Sequence, residues 1–400
     1  MASQKITLAS VTHLPVWHRK EVGKVAFADN IGLCRSEWLV RVHTESGLQG
    51  LTIANRYMRS PNGSVAGLLD ILKEAFLGRT LDELLTLDGD RVTGVGKTVS
   101  AVFRDHPWLS IAAFDLIGRA RGVSCIDMLG GGRRNPVPAY DTTMFYQDFL
   151  DPEKGSAKNA EEAAASRADG YGRMKIKIGR GSRWMLPEDG LQRDIEVIQA
   201  IREAVGPEHL LMVDGNFGYN GRFDLLEDLM RETASANIFW FEEMITADVN
   251  GYRRMRDIQM RHAPNALLVC GEVDQSPVSP VYQDLAAEGL MDAYQADIGQ
   301  EGFANWMEIE RTLEGTGTRS NPRNFGNGRF GTRAGVIFGA SSETYIHFED
   351  ERQLDHTYKP DGLSFENGAY MIGNFHGLGL EIDLDIWDRD HAKHEVQISA

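Results

Sequence analysis

Met174-Lys175-Ile176-Lys177-Ile178-Gly179 opens a regular beat that continues to Asp297. Short apolar strands end in polar residues and lead into amphipathic helices. The next strands read from Leu210 to Asp214, Ile238 to Glu242, Leu267 to Glu272 and Ala293 to Asp297, with helices such as Leu191 to Val205 and Phe223 to Glu232 between them. The markers Lys177, Asp214, Glu242, Glu272 and Asp297 recur every 25 to 37 residues, the length of a crossover between parallel strands. An unbroken series of such units predicts a closed (β/α) barrel or a doubly wound sheet, and the spacing leaves both open.

The beat begins near Val137. Beyond Asp297, Pro322 to Phe325 and Thr344 to Phe348 read as late strands, followed by turns at Asp361-Gly362 and Gly377-Leu378-Gly379 in a short β-rich tail. Before it lies a smaller α+β unit. Ser36 to Thr44 and Leu48 to Ile53 predict a hairpin around Ser46-Gly47, and helices are expected over Val65 to Phe76, Leu81 to Val92 and Trp108 to Ala120, the last ending before Gly122. No low-complexity linker divides the chain.

The chain of 400 residues carries 42 Lys+Arg against 58 Asp+Glu, a net charge of −16, and is 42% hydrophobic. That composition excludes collagen-like, disordered and disulfide-scaffold classes and suggests about two structural units. The negative excess and the absence of any basic run argue against a nucleic-acid partner. Cys34, Cys125 and Cys270 are too dispersed for a metal or redox motif and read as buried thiols in a reducing compartment. With neither a signal-peptide core nor a membrane-length apolar run, a soluble cytoplasmic protein is expected.

Asp214, Glu242 and Glu272 end three successive strands, and that end is where parallel α/β folds build their active sites. One such acid alone would be read as the cap of the next helix. Three in register suit a hard divalent cation such as Mg²⁺. Lys175 and Lys177, two apart on a strand, share a face, expected to be the barrel interior, where anions must balance them. Their mutual repulsion and desolvation should lower the pKa of one toward that of a general base.

These residues, together with AAFDLIGRARG and DMLGG before the beat and QADIGQEG and HGLGLEID after it, make the sequence resemble the enolase superfamily, and more closely its mandelate-racemase-like branch. The resemblance covers nearly the whole chain. It implies a (β/α)7β TIM-like barrel over 134–364 and an α+β capping domain over 1–133, completed by 365–400. It implies Asp214, Glu242 and Glu272 as Mg²⁺ ligands, Lys177 as catalytic base, Lys175 as its electrostatic partner, and Glu243 and Asn216 as positions behind the ligands. Such sites pair a Lys or His base with Mg²⁺. Removing the proton next to a substrate carboxylate gives a metal-stabilised enediolate. That species is either reprotonated, which is racemisation, or expels a β-leaving group, which is dehydration.

One departure narrows the choice. The mandelate-racemase branch carries a second acid/base His on the seventh strand, paired with an Asp on the sixth. Asp297 matches the Asp, but Arg323, in Ser320-Asn321-Pro322-Arg323-Asn324, stands where the His is expected, and no His occurs between His262 and His347. Arginine is a poor proton shuttle. The sequence therefore predicts a hydro-lyase in which Lys177 works from one face, eliminating β-hydroxide from a sugar acid to give a 2-keto-3-deoxy acid. A racemase, epimerase or cycloisomerase using the same enediolate is the alternative, with a Schiff-base aldolase and a non-catalytic sugar-acid binder behind it. Glu349 is expected to contact substrate, as are His18, Arg19 and Lys20 from a cap loop. Tyr140, Tyr294, Lys97 and His347 are read as structural. The cap loops around 17–30 and 54–64 are expected to set substrate size and stereochemistry, and a homo-oligomer acting on a small carboxylate is the expected assembly.

Overall fold

A computed structural model describes residues 4–274, 278–354, 356–360 and 362–400. Eight strands run parallel around a barrel: Val137–Met144, Arg173–Lys177, Leu210–Asp214, Ile238–Glu242, Leu267–Cys270, Ala293–Tyr294, Arg319–Ser320 and Phe348–Asp350. The eighth pairs with the first. The seventh and eighth share no ladder. Their seam is closed by side chains: Asn321 Oδ1 accepts the amides of Ile346 (3.2 Å) and His347 (3.0 Å), and the Asn324 amide donates to Glu349 at 2.8 Å. The seventh strand, Arg319–Ser320, falls before the expected Pro322 to Phe325, because Pro322 has no N–H to give the ladder. Pairing resumes beyond it, where the Arg323 amide reaches Ala296 O at 3.2 Å. The eighth strand falls later than Thr344 to Phe348.

Strand alternation sorts the barrel interior into layers. Tyr140, Met212, Trp240, Val269, Ala293 and Ile346 pack into one apolar cluster. One pleat further along, Lys177, Asp214 and Glu242 stand in register with each other. The polar layer thus rests on a packed apolar floor, and the helices from Ser156–Ala168 to Gly328–Ser341 cover the outside.

The cap sheet consists of Ile6–Val22, Gly32–Thr44 and Gln49–Ile53, joined antiparallel, with the terminal strand Val396–Ser399 and the short strand Gln353–Leu354 both on the first of them. Leu109–Arg121 is a helix ended by Gly122 at φ 69°. The expected helix from Leu81 to Val92 is not formed. After a single turn at Leu81–Glu83 the chain makes a hairpin, Leu85–Asp88 with Arg91–Val95, because Asp88-Gly89-Asp90 is a turn sequence with Gly89 at φ 62°. His18, Arg19 and Lys20 lie within the long Ile6–Val22 strand and not in a loop, where alternation buries His18 and exposes Arg19. Cys34 is exposed, since it sits on the outer face opposite Trp17; Cys125 and Cys270 are buried. Asp361 of the expected Asp361-Gly362 turn lies outside the described residues. Among the described residues no helix is long and apolar enough to cross a membrane.

The loop after Lys177 is anchored by a fully buried guanidinium. Arg180 donates to Asp148 (2.6 and 3.1 Å) and Asp194 (2.6 Å), and lies over the Tyr146 ring. Removing one partner of such a network leaves buried charge uncompensated, so Arg180→Met is expected to cost about 3–5 kcal/mol. Urea unfolding reads this directly, and a loss below about 1 kcal/mol would show that the network contributes little.

Candidate active site

The Asp214, Glu242 and Glu272 carboxylates converge at the barrel mouth, with one oxygen of each within 4.8 Å of the others. Asp214 and Glu242 are the last residues of their strands. Glu272 lies two beyond its own, past Gly271 at φ 115°, where a Cβ would meet the Tyr294 ring at 2.6 Å. Only glycine makes this bend, which swings Glu272 in toward the other two. Glu243, turned at φ 46°, accepts the amides of Gly271 (2.9 Å) and Glu272 (3.0 Å) and so fixes the backbone that carries Glu272. Burial, together with Glu272 and Asp214, pushes its carboxyl up to about 8. The Asn216 amide donates to Asp214 at 2.9 Å. With its nitrogen turned toward Glu242, the Gln295 amide donates to both carboxylate oxygens (3.3 and 3.2 Å).

Three cations stand against the acids. Lys175 contacts Glu242 (2.5 Å), Glu349 (2.9 Å) and Asp214 (3.5 Å), and Lys177 contacts Asp214. Lys175 does not undergo the lowering expected for one of the lysines. Burial alone would lower it, but Glu242 and Glu349 outweigh burial and raise it well above the lysine range. Arg323 bridges Glu272 (3.0 Å) and Asp297 (3.4 Å), and these acids offset burial to hold it firmly charged. Asp297 also caps the Ile298–Leu313 helix through the Gln300 amide (3.0 Å) and accepts from Asn327 (2.9 Å). The donor set of three convergent carboxylate oxygens fits a hard divalent cation such as Mg²⁺, as its chemistry requires.

Glu349, expected to contact substrate, stands beside Lys175. It is 2% exposed, and Lys175, Thr142 Oγ1 (2.7 Å) and the amides of Asn324 and Phe325 take up its two oxygens. Burial would raise its carboxyl, but Lys175 and these donors hold it at about 2. It is a carboxylate occupied within the protein, set to hold Lys175. Arg19 pairs with Asp169 (3.4 Å) and Lys20 with Glu162 (2.9 Å), both on the outer side of the barrel strands. His18 is buried against Phe325 with its rings stacked 5.9 Å apart, and burial lowers it to about 4. Tyr140 is fully buried against Trp240, Tyr294 donates to Asp274 (2.8 Å), His347 is buried beside Phe239, and Lys97 is exposed on the cap.

Sequence reasoning missed Glu351. Its carboxylate accepts the amides of Gly326 (2.7 Å), Asn327 (3.1 Å) and Gly328 (3.1 Å), clamping the segment that carries Arg323. Burial raises it to about 7 against the pull of Arg35 and these amides. A carboxyl whose folded pKa lies above its unfolded value weakens the fold as pH rises from about 4.5 through about 7, at up to about 1.4 kcal/mol per unit. Compared with Glu351→Gln, the wild type should therefore lose stability between pH 5 and pH 8 in urea titrations. Parallel pH curves for the two proteins would refute this.

Residues 158–386 match the family described as "Enolase C-terminal domain-like". The chain is 31% identical to D-galactarolactone cycloisomerase of Agrobacterium fabrum over 289 residues, 69% of this chain and 71% of that protein. It is 24% identical to arabinonate dehydratase of Saccharolobus solfataricus over 70% of each chain. Among solved structures, a mutant galacturonate dehydratase from Geobacillus sp. complexed with Mg superposes with a TM-score of 0.83 at 23% identity, covering 99% of this chain and 97% of that one.

Proposed function

The chain belongs to the enolase superfamily, in its mandelate-racemase-like branch, and from that premise and the site geometry we propose that it is a Mg²⁺-dependent hydro-lyase of polyhydroxy sugar acids. Asp214, Glu242 and Glu272 would hold the metal ion, which when bound draws electron density from the substrate carboxylate and lowers the cost of removing the neighbouring proton. Lys177 takes that proton. Lys175, held charged by Glu242 and Glu349, lies where it offsets the charge that builds on the enediolate oxygens. Lys177 then delivers the proton to the β-hydroxyl as the C–O bond breaks. Water leaves, and the resulting enol ketonises to a 2-keto-3-deoxy acid.

The observation that carries this reading is the contrast between the two sides of the metal-ligand set. A lysine stands beside Asp214, while the segment that follows the seventh strand presents an arginine already paired to Glu272 and Asp297. Proton delivery from one face is what dehydration by a single lysine needs, whereas racemisation requires a second group able to lose and regain a proton.

A panel of sugar acids assayed for 2-keto product, with and without EDTA, tests this. Metal-dependent keto product is expected. Solvent deuterium entering recovered substrate without keto product would overturn dehydration in favour of a racemase or epimerase. The similarity to a cycloisomerase motivates the second reading, an isomerisation of a sugar-acid lactone, which would give a product of unchanged mass.

A further inference from the structure

Three arginines of the cap reach the barrel mouth beside the segment that follows Arg323. Arg35 comes from the Gly32–Thr44 strand, and Arg56 and Arg59 lie three apart, hence on one face, of the short helix Asn55–Arg59. Asn55 ties that helix to the barrel by donating to the Gly326 carbonyl at 3.1 Å, and Arg59 Nη2 donates to the same carbonyl at 3.1 Å. Gly326 has φ 91°, and a Cβ on it would lie 2.9 Å from Arg35 Nη1 and 3.2 Å from Arg59 Nη1. Two guanidinium groups therefore converge on one point, over a residue that must be glycine to leave room for them.

Of the three, Arg35 is under-compensated. Arg35 stacks on the Phe325 ring at 4.6 Å, and its Nη1 is buried with no hydrogen-bond partner. The nearest acids are committed elsewhere: Glu351 to three backbone amides, and Asp297 to Arg323, Gln300 and Asn327. Arg35 is lowered to about 10, first by burial and then, against the pull of Glu351, by repulsion from Arg59 and Arg323. In a chain of net charge −16, a local excess of guanidinium with an unmet buried donor is a site prepared for an anion. The carboxylate next to the reacting carbon is assigned to the metal ion and Lys175, so an anion bound here belongs to the other end of the substrate.

Resting on the dehydratase reading, we propose that Arg35 and Arg59, reinforced by the charge of Arg56, form a subsite for a second, distal carboxylate, so that the substrates are sugar dicarboxylic (aldaric) acids and not sugar monocarboxylic (aldonic) acids.

The test measures binding and turnover separately. Calorimetry on Lys177→Ala with Mg²⁺ compares galactarate and glucarate with galactonate, gluconate and 6-phosphogluconate, while wild-type protein is assayed for keto product on the same acids. The diacids are expected to bind at least about 10-fold tighter than the monoacids. Arg59→Met in that background should weaken diacid binding about 100-fold and erase the preference, with Arg59→Lys restoring part of it. A purely structural role for Arg59 would weaken both classes alike and leave their ratio unchanged, which would overturn the subsite. Equal affinity for both classes, or preference for the phosphorylated monoacid, would overturn it as well. Turnover without diacid preference sinks the subsite and spares the dehydratase reading. Diacid preference without keto product upholds the subsite and sinks the dehydratase reading.

Discussion

Replacing Lys177 with alanine is expected to lower kcat about 10³- to 10⁴-fold while leaving the melting temperature within a few degrees of wild type. A positioned general base contributes about 10²–10⁴ to rate, and here the same amine is asked to take one proton and return it, which places the effect at the upper end. The fold should tolerate the change. The lysine head sits at the mouth, its side chain is 10% exposed, and its ion-pair partner Asp214 keeps Lys175 at 3.5 Å. Exchange of the substrate's α-proton in deuterated water should fall in parallel with product formation. A variant that still exchanges that proton at more than about a tenth of the wild-type rate would assign the base to another residue. One that loses elimination but keeps exchange would divide the two proton transfers between groups.

The second large effect concerns the metal. Mg²⁺ at about 100 times its dissociation constant should stabilise wild-type protein by about 2.7 kcal/mol, and EDTA should abolish both this stabilisation and turnover. Glu272→Gln should lose most of the stabilisation and all detectable activity. Glu272 is the informative ligand because it is the least buried of the three and its removal still leaves Arg323 paired with Asp297, so the substitution strands no buried cation. Asp214 and Glu242 each hold a buried lysine, and their loss would mix metal binding with the cost of an unpaired charge. If Mg²⁺ raises the melting temperature of wild type and Glu272→Gln equally, the triad is not the metal site.

The barrel was legible from sequence because its signals are local. An apolar strand, an acid at its end and an amphipathic helix each occupy a few residues; their repetition marks the parallel βα units, and the family resemblance selects the closed barrel over a doubly wound sheet. Lys175 and Lys177 could be placed on one face with Asp214 for the same reason, since the strand period is two. Local reading failed where two periods compete, as at Leu81 to Val92, which satisfies helical spacing yet turns at Gly89 into a hairpin. It also failed at His18, Arg19 and Lys20, where charge suggested a loop; the alternation of buried and exposed residues from Leu14 to Arg19 exists only in the folded sheet, since Leu14-Pro15-Val16-Trp17 is apolar on both faces. Glu349 showed a different gap: its position on the eighth strand was readable, but its capture by Lys175, Thr142 and two amides was not.

What the sequence by itself determined is therefore the succession of strands and helices along the chain and which side chains share a strand face, because both follow from periodicity along a few residues of chain. Which groups meet at the mouth was decided only by tertiary structure. Glu243 grips the backbone of Glu272 across two strands, Glu351 clamps the segment beyond Arg323, and Asn55 and Arg59 dock on Gly326 from some 270 residues away. Contacts of this kind form only when neighbouring strands come together in the barrel and the cap packs on its mouth, and a one-dimensional pattern has no period at those separations to record them.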